Sequence, residues 1–371
     1  MHCLYGLPVD AVSIEEAELR IQQAILNHSR CFLSTPNLNF LIACRSDQSF
    51  RHSVMSSDLV LVDGMPLIWI ARLLGVPLQH RVAGASLFEH MRRTVANNKV
   101  KVFFFGGQDG TADVACKTLN ADTMSGMLCV GAISPGFGSI ESLSSNVHIQ
   151  TINESNADFL VVSLGAQKGQ AWIMHNADRL TIPVISHLGA VVNFVAGTIE
   201  RSPKIFQSIG LEWLWRIKEE PHLWRRYLKD GLALARLVVP NVLPGLLLLF
   251  LRHFQVSSPI HPPHLETKNG ENGKLEITLT GVFIGQSLRG LRETFGSVTS
   301  KRSEVIVISL SGVTHIDSAF LGILLILSGH QWSIGGQLHI RDVPDKIHKL
   351  FKHFGAEFLL DKESPQTQAH R

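Results

Sequence analysis

The chain has 371 residues, enough for two domains of ordinary size that each bury a core. Its 45% hydrophobic and 18% charged content excludes a disordered chain, and a formal charge of +3 is too small to argue for nucleic acid. Five cysteines (Cys3, Cys31, Cys44, Cys116, Cys129) are scattered, odd in number and without a CxxC pair, so neither a disulfide framework nor a zinc site is expected and a reducing compartment fits.

The opening stretch MHCLYGLPVDAVSIEEAE is acidic and amphipathic, without the basic and apolar regions of a secretory signal, and a cytoplasmic protein is expected. Apolar residues at helical spacing (Ile14, Ala17, Ile21, Ala24, Ile25) predict a helix over 14–29, with Ser13 as cap and Glu16 completing a capping box. Cys31 to Leu33 reads as a strand and Leu38 to Arg45 as a helix. Residues 58–62 form a further strand ending at Asp63, and VKVFFFGG (100–107) another, with a helix opening near Thr111. Two more strands follow, ADFLVVSLG (157–165) and IPVISHLG (182–189). Short apolar runs that end in glycine and lead into helices predict an α/β fold, Rossmann-like, with a mainly parallel sheet and helices on both faces.

Past residue 200 the chain turns basic: Arg201, Lys204, Arg216, Lys218, Arg225, Arg226, Lys229 and Arg236 are interleaved with Trp213, Trp215, Trp224 and Tyr227. Such an alternation suits the headgroup region of a bilayer, and the same guanidinium groups can clamp a diphosphate. Leu237 to Leu251 carries no charge but contains Pro240, Pro244 and Gly245, and falls short of the roughly 20 residues of a spanning helix. A membrane-interface segment over 237–254 is expected, a buried hairpin being the alternative. Residues 255–273 read as a linker, rich in Pro, Ser, Asn and Gly. A second, small α/β domain over 274–362 follows, with a strand at KLEITLTG, a strong strand at EVIVISLSG, and a single layer of helices.

Asp63 follows a buried strand and precedes a glycine, which presents its carboxylate at a carboxyl edge of the sheet. Partial desolvation there raises a carboxyl pKa and suits general-base work; a plain Asp-Gly turn is the competing use. Thr35, Asn37 and Asn39, in TPNLN after the preceding strand, either cap a helix or offer amides and a helix dipole to an anionic group. The turn at Gly106 and Gly107 is another candidate cradle. No GxxxxGK[ST] occurs, which disfavours a P-loop nucleotidase; no GxSxG or HExxH occurs either, no cofactor or metal is expected, and His175 and His187 read as structural or surface residues.

With those residues in view, the segment from 5 to about 240 resembles the WecG/TagA/CpsF family of glycosyltransferases. The matching stretches are TPNLN, LVDGMPLIWIARLLG, QHRVAGASLFEHM, VFFFGG, LVVSLGAQKGQAWI and HLGAVVNFVAGTIERSPKIFQSIGLEWLWRIKEEPHLWRRY. The resemblance implies an inverting, metal-free transfer of a sugar, of the N-acetylmannosamine type or a related hexose or uronic acid, in exopolysaccharide or surface-glycan assembly. The donor is a UDP-sugar and the acceptor a polyprenyl-diphosphate-linked sugar at the cytoplasmic face of the inner membrane. It implies Asp63 as general base and Thr35 as an active-site hydroxyl, Asn37 and Arg81 as substrate contacts, and Arg216, Arg225 and Arg226 in a basic C-terminal appendage (about 201–240). Asn39, Gly107 and Arg201 join the candidate substrate-binding set. Where the family reads Gly-x-Pro-x-Gln-Glu, this chain has Gly165-Ala166-Gln167-Lys168-Gly169-Gln170, so the donor sugar is open, and Gln167 and Gln170 are candidate contacts to sugar or uracil.

The second domain resembles a STAS domain through VIVISLSGVTHIDSAFLGILL, where Ser318 matches a serine that such domains have phosphorylated. A phosphate at that helix N-terminus is electrostatically favourable; the alternative is that Ser318 only caps the helix and the domain docks a protein partner. A chain of another class, inactive and acting through its STAS half, is the competing function. Retained Thr35, Asp63 and Arg81 weigh against it.

Overall fold

The computed structural model describes residues 1–94, 98–208, 210–241, 262–270, 274–300 and 303–361. In chain order the strands are β1 (His2–Leu4), β2 (Leu7–Val9), β3 (Cys31–Ser34), β4 (Leu59–Val60), β5 (Val100–Gly106), β6 (Met127–Ile133), β7 (Phe159–Ser163), β8 (Val184–His187), β9 (His264–Asn269), β10 (Lys274–Phe283), β11 (Val305–Ile316) and β12 (Gln337–Arg341). They fall into two compact units: Asp10–Ile70 with Pro77–Arg236, and Met1–Val9 with Ala71–Val76 and Leu237–Arg371.

The larger unit holds a six-stranded sheet in the order β4-β3-β8-β7-β5-β6, every pair parallel. Strand β5 displays the logic of its sequence. Alternation sends Val102 and Phe104 into one core, with Phe88 and Met91, and Phe103 and Phe105 into the opposite one, with Trp172 and Ile185. A strand buried on both faces reads as a continuous apolar run because helices cover both sides. Leaving β5 the chain goes to β6, whereas leaving β7 it goes to β8 on the other side. That reversal opens a crevice beyond the carboxyl ends of β5 and β7, where open α/β sheets place their ligands. The predicted first helix is present as Ile14–Leu26, with both halves of the Ser13–Glu16 capping box made.

Helix Thr111–Ala121 and strand β6 overturn one expectation. Cys116 and Cys129 form a disulfide, with Cα atoms 5.2 Å apart. The spacing of 13 residues carries no motif, and the two thiols meet only because this helix packs against β6. Cys3, Cys31 and Cys44 are free and buried.

The smaller unit holds a four-stranded sheet, β12-β11-β10-β9, parallel except for the β10/β9 pair. Strand β9 lies inside the 255–273 stretch expected to be a linker. Its residues are mostly exposed, so backbone pairing at the sheet edge, not side-chain burial, makes it a strand. The apolar helix Ser318–Ser333 is buried nearly all round and receives the β1/β2 hairpin, whose Cys3, Leu4, Leu7 and Val9 are fully buried. The first residues thus share a core with the C-terminal sheet, a pairing that no local pattern announces.

Helix Trp224–Asn241 reaches the start of the expected 237–254 segment; the rest of that segment lies outside the described residues. Among the described residues no helix is long and apolar enough to cross a membrane.

Candidate active site

A cleft of about 930 Å³ opens at the carboxyl ends of the strands in the larger unit. Thr35, Asn37, Asn39, Asp63, Arg81, Gly107, Arg201, Arg216 and Arg226 all line it. Residues separated by up to 191 positions in the chain, from Thr35 to Arg226, meet because parallel strands deliver their ends to one edge.

Two strand-end turns make the floor. Asp63 donates its backbone N–H to the Pro36 carbonyl (2.8 Å), locking the turn after β4 to the turn after β3. Asn37 Oδ1 accepts the Phe40 N–H at 3.3 Å, so Asn37 caps helix Leu38–Ser46 and lines the cleft at once. Asp63 Oδ2 accepts the Gly84 N–H at 3.3 Å, at the first turn of helix Gly84–Arg93. A Cβ at Gly84 would stand 3.4 Å from Thr35 Oγ1 and 2.5 Å from Leu188 Cδ2. Glycine lets that helix N-terminus approach closely, and it brings Asp63, Thr35 and the end of β8 together.

The charges around Asp63 are arranged in opposition. Burial raises its carboxyl pKa above the ordinary carboxylate value, Arg81 pulls it back, and Glu212 pushes it up again. Arg81 Nη2 pairs with Glu212 Oε1 at 2.8 Å, and Arg201 donates to Ser86 Oγ. Arg216 pairs with Glu220 at 3.1 Å and lies over the Phe194 ring. Asp230 is buried between Arg226 and Asn39, its carboxyl raised by desolvation against the pull of Arg226 and the Asn39 hydrogen bond. On the far wall Gly107 adopts φ 87° and donates its N–H to Ser163 O at 2.8 Å. A left-handed glycine is what a turn hugging the end of β7 requires.

Other candidates fall elsewhere. Gln167 is exposed and is not among the residues lining the cleft, although its neighbours Ala166 and Lys168 are. Gln170 is fully buried and donates its amide to Ser34 Oγ (2.8 Å), which in turn bonds Ser57 Oγ, so that one hydrogen bond joins helix Ala166–Asn176 to β3. Arg225 is exposed beside the Trp224 ring, outside the cleft. Ser318 belongs to the smaller unit, 6% exposed, its Oγ 3.0 Å from His2 Nδ1; Asp317 caps the helix through the Ala319 and Phe320 N–H groups.

Several residues of the cleft are not among the sequence candidates, Glu212, Asp230 and His187 among them. Glu212 and Asp230 sit inside the basic appendage, where attention to positive charge hid them. His187, set aside as structural or surface, closes β8 and lines the cleft. Among the described residues no group of three or more His, Cys, Asp or Glu gathers as for a metal.

The model of the glycosyl transferase WecG/TagA/CpsF family matches residues 2–245, and a STAS-domain model (Mlab, STAS domain) matches residues 267–361. An N-acetylglucosaminyldiphosphoundecaprenol N-acetyl-beta-D-mannosaminyltransferase of Bacillus spizizenii is 25% identical over 60% of this chain and 86% of its own. Similar enzymes of the same name come from Bacillus subtilis (24% over 53% of this chain, 74% of its own) and Staphylococcus aureus (22% over 60%, 85% of its own). The phosphorylated Bacillus cell fate determinant SpoIIAA aligns with 28% of this chain and 96% of its own at 12% identity and a TM-score of 0.24. With the match running over more than half its length, the chain belongs to the WecG/TagA/CpsF family of glycosyltransferases and carries a STAS domain behind that region.

Proposed function

We propose that this glycosyltransferase moves a sugar from a UDP-sugar to a polyprenyl-diphosphate-linked sugar, inverting the anomeric centre, in exopolysaccharide or surface-glycan assembly. The observation that carries the proposal is the placement of Asp63: a carboxylate at a strand end, raised in pKa by burial, hydrogen-bonded by Gly84 and bracketed by Arg81 and Arg201. Asp63 removes the proton of the acceptor hydroxyl as its oxygen attacks the anomeric carbon. The bond to the diphosphate oxygen breaks, and Arg81, Arg201 and Arg216 neutralise the charge that collects there. One carboxylate suffices for a single displacement of this kind when cations hold the leaving group. Thr35 and Asn37 orient the reacting hydroxyl and the sugar.

The relatives' names specify an N-acetylglucosaminyl-diphosphoundecaprenol acceptor, and the same class of lipid is proposed here. Exposed Trp213, Trp224, Leu228 and Leu232 beside Arg225 and Lys229 suit an amphipathic face resting on the cytoplasmic surface of the inner membrane. The STAS domain is proposed as a regulatory or docking module that recruits a protein partner, with Ser318 as its switch residue.

The test is transfer from a panel of UDP-N-acetylhexosamines to a short-chain polyprenyl-diphosphate-linked N-acetylglucosamine, with Asp63→Asn as control. Transfer by the native protein and its collapse in the variant are expected; equal rates would remove Asp63 from the chemistry.

A further inference from the structure

The proposed displacement makes no use of His187. Its side chain is 6% exposed at the end of β8, it lines the cleft, and its Nε2 has no hydrogen-bond partner. A buried ring nitrogen without a partner is costly, and native structures rarely leave one so unless something else completes it.

Two glycines shape the space around the ring. A Cβ at Gly169, within helix Ala166–Asn176, would stand 2.9 Å from the ring Cγ and 3.1 Å from Nε2. A Cβ at Gly189 would stand 3.2 Å from both Nε2 and Cε1. Neither glycine is in the left-handed region, so backbone conformation demands glycine at neither position. Glycine is moreover a weaker helix former than alanine inside a helix. What both positions share is the imidazole. Gly169 gives the ring its room, and Gly189, which itself lines the cleft, places no side chain against Nε2 on that side.

Burial pushes the His187 pKa down to about 4, so the ring is uncharged at neutral pH and offers a neutral hydrogen bond, not a countercharge for phosphate. The phosphate-matching groups are the arginines already described.

We infer that His187 is a specificity-determining residue whose Nε2 hydrogen-bonds an uncharged hydroxyl or acetamido group of the donor's sugar ring, reached past Gly189. The inference rests on the cleft being a nucleotide-sugar site. It is tested by titrating UDP, UDP-glucose, UDP-N-acetylglucosamine and UDP-N-acetylmannosamine into the native protein, His187→Ala, His187→Asn and Gly169→Ala, with calorimetric readout. UDP alone should bind all four proteins alike. The preferred UDP-sugar should lose about ten-fold or more in affinity in His187→Ala, as expected when a site loses a hydrogen bond built for one substrate group. His187→Asn should recover part of that loss, and Gly169→Ala, which displaces the ring without removing it, should lose selectivity in the same direction. Equal losses for UDP and the UDP-sugar, or an unchanged UDP-sugar affinity, would overturn the inference while leaving the nucleotide-sugar reading intact. A native protein that binds none of the four ligands would overturn both.

Discussion

Arg81 and Glu212 face each other at 2.8 Å, the first just ahead of helix Gly84–Arg93 and the second opening helix Glu212–Glu219. Both act on Asp63, with opposite sign. With Asp63 as the proposed base, its ionised form is the competent one, and the rate should fall as pH drops through its raised pKa. Glu212→Gln removes a charge that raises Asp63 and frees Arg81, so the acid limb of the kcat/KM profile should move to lower pH. Arg81→Gln should move it to higher pH. Two limbs that shift in the same direction, or not at all, would separate these residues from the base.

Asp63→Asn should lower kcat/KM by about 10²–10⁴-fold, the usual scale of general-base catalysis. It should also raise stability at neutral pH. A carboxyl whose folded pKa lies above its unfolded one contributes stability that is full below the unfolded value and is lost as pH rises through the folded value. Asparagine carries no such loss. The melting midpoint of the variant should therefore exceed that of the native protein at pH 7, by about 2–4 °C for each kcal/mol in a unit of this size, and the gap should close on acidification.

The β1/β2 hairpin and helix Ser318–Ser333 are tightly fitted. A Cβ at Gly322 would stand 2.9 Å from the His2 carbonyl carbon and 3.0 Å from its Cα. Gly322→Ala should cost about 1–3 kcal/mol by overpacking and speed amide exchange over residues 3–9. Ser318→Asp should do the same, since it sets a second carboxylate beside Asp317 under the hairpin. Unchanged exchange in both variants would mean that the hairpin is not held there.

The Cys116–Cys129 pair predicts that alkylation of the unfolded, unreduced protein labels Cys3, Cys31 and Cys44 only. Cys116→Ser should lower stability by about 3 kcal/mol, the scale for a closed loop near 15 residues. Labelling of all five cysteines would show the thiols to be reduced.

Much of the larger unit was legible because its signals are local. The FFF of β5 alternates between two cores, the Ser13–Glu16 box starts a helix where predicted, and TPNLN and VDG fall at strand ends. Glu212, Asp230 and His187 were not legible as cleft residues, since each earns its place by what faces it across the fold. Gln170 looked like a ligand contact for the converse reason: an amide side chain reads the same in a sequence whether it meets a sugar or, as here, Ser34 in the core.

By itself the sequence determined the alternation of strands and helices, the order of the motifs and the residues at the strand ends, because periodicity, capping and turn chemistry act over a few neighbours. Tertiary structure alone decided which charge opposes which around Asp63, that Cys116 meets Cys129, that the first strands share a core with helix Ser318–Ser333, and that two glycines close on the His187 ring. Those outcomes depend on burial and on distances between segments far apart in the chain, and desolvation and pairing have no value until the chain has folded around them.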